Sequence, residues 1–241
     1  MSKHTVERDQ VEQLLQDKVG PAIDRFMVQV MSDALAAYQS DTVVVAAAFK
    51  PFTLAAVTKR WGKVVDRLRT TVRRMFRSTA RDMDSLYALI DGLSLPSDVY
   101  NRTVDVIEKG AAGRWARQKL VDELGAVLNP NPVTSSLVAT MGTAVYGIVQ
   151  QRRFAQNHVP YKKWLSLHDD RVRDTHRAAD GQIQLADEPF TVGGALLMFP
   201  CDPNGPIGET VNCRCIQIGC NERGAMVSDQ TALQDWLNLT F

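Results

Sequence analysis

The sequence lacks the features that mark secreted, membrane-spanning or strongly charged proteins. Its formal net charge is only +1, so overall charge gives no argument for a nucleic-acid partner. No uninterrupted apolar run approaches the length of a membrane span, and the N-terminus carries charges where a signal peptide would be apolar. The four cysteines all lie at or after position 201, unlike a disulfide framework. We therefore expect synthesis in a reducing cytoplasm and no membrane partner.

The N-terminal part of the chain shows helical periodicity. Apolar residues recur at helical spacing over residues 6–38, and Gly20-Pro21 predicts either two helices or one bent helix there. Shorter helices are predicted at 97–109 and 111–127. The fold class expected is mainly α, with a small C-terminal α+β module.

A further helix is predicted after the segment 128–132, in which two prolines favour an extended link. Its apolar stripe predicts a buried face. Ala139, Gly142, Ala144 and Gly147 in this helix would allow a second element to pack closely against it.

Residues 53–79 predict an amphipathic helix with a basic face opposite its apolar stripe. Such a face can simply be solvated. It can also contact phosphates or an acidic partner, and its many arginines suit bidentate phosphate contacts. No aromatic side chains are interleaved on this face, so only contact with the DNA backbone is predicted. The candidate contact residues are Lys63, Arg67, Arg74, Arg77 and Arg81.

The stretch from Trp164 to Cys215 is the most distinctive in the chain, because it combines histidines, cysteines, acidic residues and many turn residues. The spacing of Asp170, Arg173 and His176 predicts that they line one face of a short helix. Strands are predicted after Asp180-Gly181 and at 212–218, with both cysteines of the Cys-x-Cys pair on the last strand.

This stretch contains candidate zinc ligands. His176, Cys213 and Cys215 are three residues of the types that bind zinc, and Asp170, His168 or Cys201 could supply a fourth ligand. The Cys-x-Cys spacing is a weaker signal than Cys-x-x-Cys. A disulfide within Cys-x-Cys is sterically poor. The other interpretation is a buried hydrogen-bonded network, in which His176 and Asp170 or Asp180 hold the loops.

Enzymatic interpretations have less support in the sequence. A cysteine and a histidine could form a thiol hydrolase, but no nucleophile elbow or orienting partner is visible. A metal-dependent nuclease would need ligand spacings that this chain does not match. Glycine-rich phosphate-binding loops are also missing.

The motif as a whole resembles the phage Mu F-like family of minor head proteins, also described as the phage head morphogenesis domain. The resemblance covers about residues 160–218. The positions that carry it are Trp164, Asp170-Arg171-Val172-Arg173, His176, Asp180-Gly181-Gln182, Asp187, Phe190, Phe199-Pro200, Asp202-Pro203 and Asn212-Cys213-Arg214-Cys215. Cys201 stands where the family usually has a small residue such as glycine.

The resemblance implies a virion structural component without enzymatic activity, made in the host cytoplasm. It implies a few copies at the portal vertex or capsid interior, with the portal protein and the major capsid protein as partners. Packaged double-stranded DNA is a partner suggested by the basic face alone. We expect a helical region at 1–159, a Mu F-like domain at 160–220 and a tail at 221–241. The alternative is a metal-dependent hydrolase or host-modifying effector packaged in the head.

Overall fold

The computed structural model describes residues 3–38, 52–75, 84, 86–88 and 95–227. The predicted apolar segment at 43–49, Arg77, Arg81 and the tail beyond residue 227 lie outside the described residues. The helices are α1 (Lys3–Ala37), α2 (Leu54–Met75), α3 (Leu95–Ala112), α4 (Arg117–Val127), α5 (Pro130–Gln156), α6 (Asp174–Ala179) and α7 (Ile207–Thr210).

The strands form a small antiparallel region in the C-terminal part, which confirms the predicted fold class. They are β1 (Tyr161–Leu165), β2 (Ile183–Leu185), β3 (Phe190–Val192), β4 (Ala195–Leu197) and β5 (Ile216–Cys220). A three-stranded sheet has the order β2-β1-β5, with Leu165 opposite Ile216, and β3 pairs with β4 as a separate hairpin. Every residue of β5 is buried, as expected when both faces of a strand are covered.

Two compact units account for the contacts within the chain. One comprises residues 1–17, 70–92 and 135–241, and it contains the sheet, most of α5 and the first turns of α1. The other comprises residues 18–69 and 93–134 and is helical where it is described. The domain boundary at residue 160 stays a prediction.

Of the two alternatives predicted at Gly20-Pro21, two separate helices are excluded, because α1 runs from Lys3 to Ala37 as one helix with Pro21 inside it. A proline in a helix interior costs roughly 3 kcal/mol. Apolar side chains that flank it, including Val19, Ile23 and Phe26, are buried. Their burial offsets that cost and keeps the segment helical.

The predicted extended link at 128–132 was wrong, because α5 begins at Pro130. The Asn129 side chain accepts a hydrogen bond from the Asn131 backbone N–H at 3.1 Å, as at a helix N-terminus. Pro130 and Pro132 both fall in the first turn, where backbone N–H groups have no partner within the helix. Their missing N–H groups therefore cost little, and they start a helix here.

One segment, Arg117–Gln156, is apolar and long enough for a membrane span by composition, but 78% of the apolar window is buried inside the protein. It comprises α4 and α5. In α5, all ten residues from 141 to 150 are buried. The hydrophobicity of α5 is therefore that of a central core helix.

Close packing against α5 depends on the glycines that the sequence analysis identified. A Cβ atom at Gly142 would lie 3.1 Å from the Cα of Glu12 in α1. At Gly147 it would lie 3.0 Å from Cγ of Phe199 and 3.2 Å from its Cβ. All three distances are too short for carbon atoms to pack without displacement.

We therefore expect Gly147→Ala to lower the free energy of unfolding by about 1–3 kcal/mol through overpacking. Gly125→Ala in α4 is the matched control, because nothing lies within 4 Å of its added Cβ. There the better helix propensity of alanine should stabilise the protein by up to about 1 kcal/mol. Urea denaturation of both variants measures the effects, and stabilisation by Gly147→Ala would show that the contact with Phe199 is not tight.

Candidate functional site: a buried histidine–cysteine cluster

Three side chains predicted as zinc ligands meet in the interior of the C-terminal part. Nδ1 of His176 lies 3.5 Å from Sγ of Cys213 and 3.5 Å from Sγ of Cys215. The three ligand atoms all lie within 4.8 Å of one another. All three residues are buried, with at most 3% of any of them exposed.

The local fold brings these residues together from distant parts of the stretch. His176 lies on α6, while both cysteines lie on the turn between α7 and β5. The prediction that the Cys-x-Cys pair lies on the last strand was wrong, since β5 begins at Ile216. Asn212 adopts a left-handed conformation with φ 58°, which asparagine tolerates better than most residues. This turn directs both thiols toward His176.

The other ring nitrogen of His176 contacts a carboxylate that the sequence analysis missed. Nε2 lies 3.0 Å from Oε2 of Glu209, and the Thr175 hydroxyl donates to the same oxygen at 2.8 Å. Glu209 is on α7, a four-residue helix with no periodic signal in the sequence. Only the three-dimensional structure brings it to His176. A hydrogen bond to this carboxylate fixes the ring so that Nδ1 faces the cysteines.

Trp164 forms one wall of the cluster. Its ring is fully buried and packs edge-on against His176 at 5.6 Å and against Phe190 at 5.3 Å between ring centroids. Its buried indole N–H has no hydrogen-bond acceptor at ordinary distance, yet it lies close enough to Cys215 to favour the thiolate of that residue. Trp164 therefore presents both an apolar face and a polar N–H to the cluster.

The cluster concentrates negative charge on one sulfur. Burial raises the pKa of Cys213, but hydrogen bonds from Cys201, Cys215 and His176 outweigh burial and hold that pKa well below its usual range. Burial raises the pKa of Cys201 instead. The hydrogen bond to Cys213, followed by burial, raises that of Cys215. Burial lowers the pKa of His176, but the interaction with Cys213 outweighs it and the net shift is upward. Of the three thiols, that of Cys213 is therefore the most acidic.

Cys201 approaches this cluster from the Pro/Gly loop without joining the group of three ligand atoms. Its thiol donates to the carbonyl oxygen of Thr210 at 2.9 Å. Its φ of 61° lies in the left-handed region, which favours glycine.

The prediction that Asp170, Arg173 and His176 line one face of a short helix was wrong, because α6 begins only at Asp174. Asp170 is exposed and precedes this helix. A turn ends the preceding segment instead, with the Asp169 side chain accepting from the Arg171 N–H at 3.1 Å. Asp169, which the sequence analysis did not select, binds both terminal nitrogens of Arg214 at 2.7 and 2.8 Å. The guanidinium of Arg214 holds the pKa of Asp169 below its usual range.

The remaining motif residues hold loops around the cluster. Arg173 donates to the carbonyl oxygen of Val211, and the Asn212 N–H donates to the Thr140 hydroxyl at 2.9 Å. Asp180 accepts from the Ser166 N–H at 2.7 Å and pairs with His168 at 2.7 Å. Burial raises the pKa of Asp180, but these hydrogen bonds outweigh burial and the net shift is downward.

Asp202 organises the Pro/Gly loop. It accepts hydrogen bonds from the N–H groups of Met198 at 2.8 Å and Asn204 at 2.9 Å. On the other side of the motif, Arg8 of α1 donates to the Arg214 carbonyl oxygen at 2.7 Å. Contacts to α1 and α5 therefore support the motif, so its structural unit extends well beyond residues 160–218.

A second candidate site is a basic groove between α1 and α2, lined by Arg25, Arg60, Lys63 and Arg67 and with a volume of about 510 Å³. Lys63, Arg67 and Arg74 are exposed as predicted, while Arg77 and Arg81 lie outside the described residues. Arg60 forms an ion pair with Asp33 of α1, and Nε of Arg67 lies 3.4 Å from the Lys18 carbonyl oxygen. Arg25, contributed by α1, was not among the predicted residues. Helical periodicity within α2 alone could not identify it.

Comparison with known proteins identifies the family. No curated protein and no solved structure matches the chain significantly. A family model described as Phage Mu protein F like protein matches residues 98–218, which is just over half of the 241 residues. The match begins upstream of the motif and includes α5, which contacts the motif through the hydrogen bond from Asn212 to Thr140. The chain therefore belongs to the family of phage Mu protein F like proteins, which is a phage head morphogenesis family.

Proposed function

We propose that this protein is a minor head protein, present in few copies at the portal vertex or the inner capsid surface, close to the packaged DNA. Family membership is the observation that carries the proposal. The portal protein and the major capsid protein are the proposed partners. The basic groove between α1 and α2 supports a place beside DNA or an acidic partner surface.

The proposed role is structural rather than catalytic. His176, Cys213 and Cys215 are the most reactive combination in the motif, and all three are buried. A nucleophilic or metal-activated site needs room for a substrate next to the reacting atoms. The side chains around the cluster hold backbone groups of neighbouring loops, as Arg173, Asp180 and Asp202 do. Their common function in this proposal is to keep the module rigid.

The chemistry of the basic groove suits the DNA backbone. Arg25, Lys63 and Arg67 contribute positive charge along it, and the Asp33 carboxylate partly neutralises Arg60. Guanidinium groups bind phosphates in a bidentate manner, and such contacts do not depend on base sequence. Phe26 lines the groove but packs edge-on against Trp61, with 4% of its surface exposed, so it does not offer a stacking face. The proposed contact is therefore salt-dependent and without sequence preference.

We expect Arg25→Glu, Lys63→Glu and Arg67→Glu together, all three at positions that line the groove, to weaken binding to duplex DNA and to flatten its dependence on salt. Each lost phosphate contact should lower the slope of log K against log salt concentration by about 0.9. The matched control is Arg102→Glu, Lys109→Glu and Arg117→Glu, which makes the same change in net charge at exposed positions outside the groove. Fluorescence anisotropy over a salt series measures both. Equal salt slopes for the two triple variants would exclude the groove as the DNA contact.

The location in the head is tested on assembled particles. Chemical crosslinking of intact heads, followed by peptide mass spectrometry, should give crosslinks from this chain to the portal protein and to the inner surface of the major capsid protein. Quantification against the major capsid protein should give a few copies per head. Crosslinks confined to tail proteins, or recovery only outside purified heads, would contradict the proposal.

A further inference from the structure

We propose that His176, Cys213 and Cys215 bind one zinc ion through Nδ1 and two thiolates, with one water molecule as the fourth ligand. This inference goes beyond the proposed role in the head and does not depend on it. The residue types are those of known zinc sites, and all three come from the same C-terminal module.

The distances between the ligand atoms fit a tetrahedral zinc ion. Zinc lies about 2.3 Å from thiolate sulfur and about 2.0–2.1 Å from imidazole nitrogen, so tetrahedral geometry separates nitrogen and sulfur ligands by about 3.6 Å. Nδ1 of His176 is 3.5 Å from the sulfur of each cysteine. Both nitrogen–sulfur distances therefore match those of a tetrahedral zinc site. Ordinary thiol–imidazole packing does not require both distances to match this value.

The surroundings of the ligands also fit a zinc site. Histidine ligands of metals usually donate their second ring N–H to a carboxylate or a carbonyl, which orients the ring. Here Glu209 occupies that position, 3.0 Å from Nε2 of His176. Trp164 supplies a buried N–H with no ordinary acceptor beside Cys215. That N–H is well placed to donate to a zinc-bound thiolate.

Cys201 is not the fourth ligand in this arrangement. Its sulfur falls outside the group of ligand atoms that lie within 4.8 Å of one another. Its thiol instead donates to the Thr210 carbonyl oxygen at 2.9 Å.

A small cavity provides the space for the fourth ligand. It is lined by His176, Cys213 and Cys215 together with Arg173 and Asn212, and its volume of about 10 Å³ is close to the minimum that holds one water molecule. A water molecule there would complete the tetrahedron. Such a site would stabilise the fold by joining α6 to the turn before β5.

The direct test is the metal content of the full chain, purified without chelators. We expect one zinc ion per chain and a lower melting temperature after chelation, with recovery when zinc is restored. Titration of the metal-free, reduced protein with cobalt should give the absorption of tetrahedral cobalt with a thiolate-to-metal charge-transfer band. Absence of bound zinc together with absence of this cobalt spectrum would overturn the proposal.

Variants identify the ligands even if some of them fold poorly. Cys215→His keeps a ligand at the position, so cobalt should still bind while one of the two thiolate contributions to the charge-transfer band disappears. Cys201→Gly and the buried Cys220→Ser are controls that should keep the full spectrum. Glu209→Gln should weaken zinc binding about 10–100-fold without removing a ligand. A loss of the cobalt spectrum in Cys201→Gly, or an unchanged spectrum in Cys215→His, would show that the ligand set is wrong.

Discussion

Trp164→Ala is expected to lower the free energy of unfolding by about 3–5 kcal/mol, as large-to-small substitutions of a fully buried aromatic residue do. Trp164 heads the group of largest side chains that are fully buried. It contacts His176 and Phe190 edge-on, so its removal opens a cavity between α6 and β3. It also lies on β1, the central strand of the three-stranded sheet. The substitution should therefore destabilise the whole C-terminal module and not only the surroundings of Trp164.

Two control variants separate the causes of this effect. Trp164→Phe keeps an aromatic ring against Phe190 but loses the indole N–H, and it should cost markedly less than the change to alanine. Trp115→Ala removes the same side chain at a half-buried position in the other compact unit. Urea denaturation followed by circular dichroism compares the three variants. Equal losses for Trp164→Ala and Trp115→Ala would show that Trp164 has no special place in the core.

Helical periodicity predicted the helical part of the fold because that signal is local. Val57, Trp61, Val64 and Leu68 are all buried on one face of α2, as their spacing indicated. The error came at a proline, because the effect of proline depends on whether it falls in the first turn of a helix or in its interior. Pro130 begins a helix that it was expected to prevent.

The sequence allowed the three side chains of the cluster to be selected, but not the acidic residues that hydrogen-bond to the motif around them. His176, Cys213 and Cys215 could be selected because few other residue types bind zinc, and the structure brings these three together. Glu209 and Asp169 are acidic residues among many, and their roles follow only from contacts 33 and 45 residues apart in sequence. The spacing of Asp170 was a helical argument applied to a segment that turns before α6 starts.

Lys162 gives the second large prediction, which concerns the dependence of stability on pH. Its side chain is fully buried next to Trp164 on β1. Its ammonium donates to the Met198 carbonyl oxygen at 2.7 Å, lies 3.4 Å from Oε1 of Gln151 and sits 5.0 Å from the Phe190 ring centroid. Burial lowers the pKa of Lys162 to about 8, although Asp202, Asp187 and Glu188 act in the opposite direction.

The sign of the effect follows from proton binding. In the unfolded chain the lysine keeps its proton up to its ordinary pKa of 10.5, whereas the folded protein releases it near pH 8. Between these values the unfolded state binds more protons, so this residue makes the protein more stable as pH rises. A downward shift of this size corresponds to roughly 3 kcal/mol. Below pH 8 both states are protonated, and the folded state bears the full cost of the buried charge.

Lys162→Met should therefore change stability in a pH-dependent way. We expect the wild-type protein to gain up to roughly 3 kcal/mol relative to this variant between pH 7 and pH 10.5, as the cost of the buried charge disappears. Urea denaturation of both proteins across this range measures the difference, and the comparison cancels the titration of groups that they share. Lys163→Met, at the half-buried neighbouring position, controls for the change in net charge. A constant difference between wild type and Lys162→Met at every pH would mean that Lys162 remains charged in the folded protein throughout, held by the three acidic side chains around it.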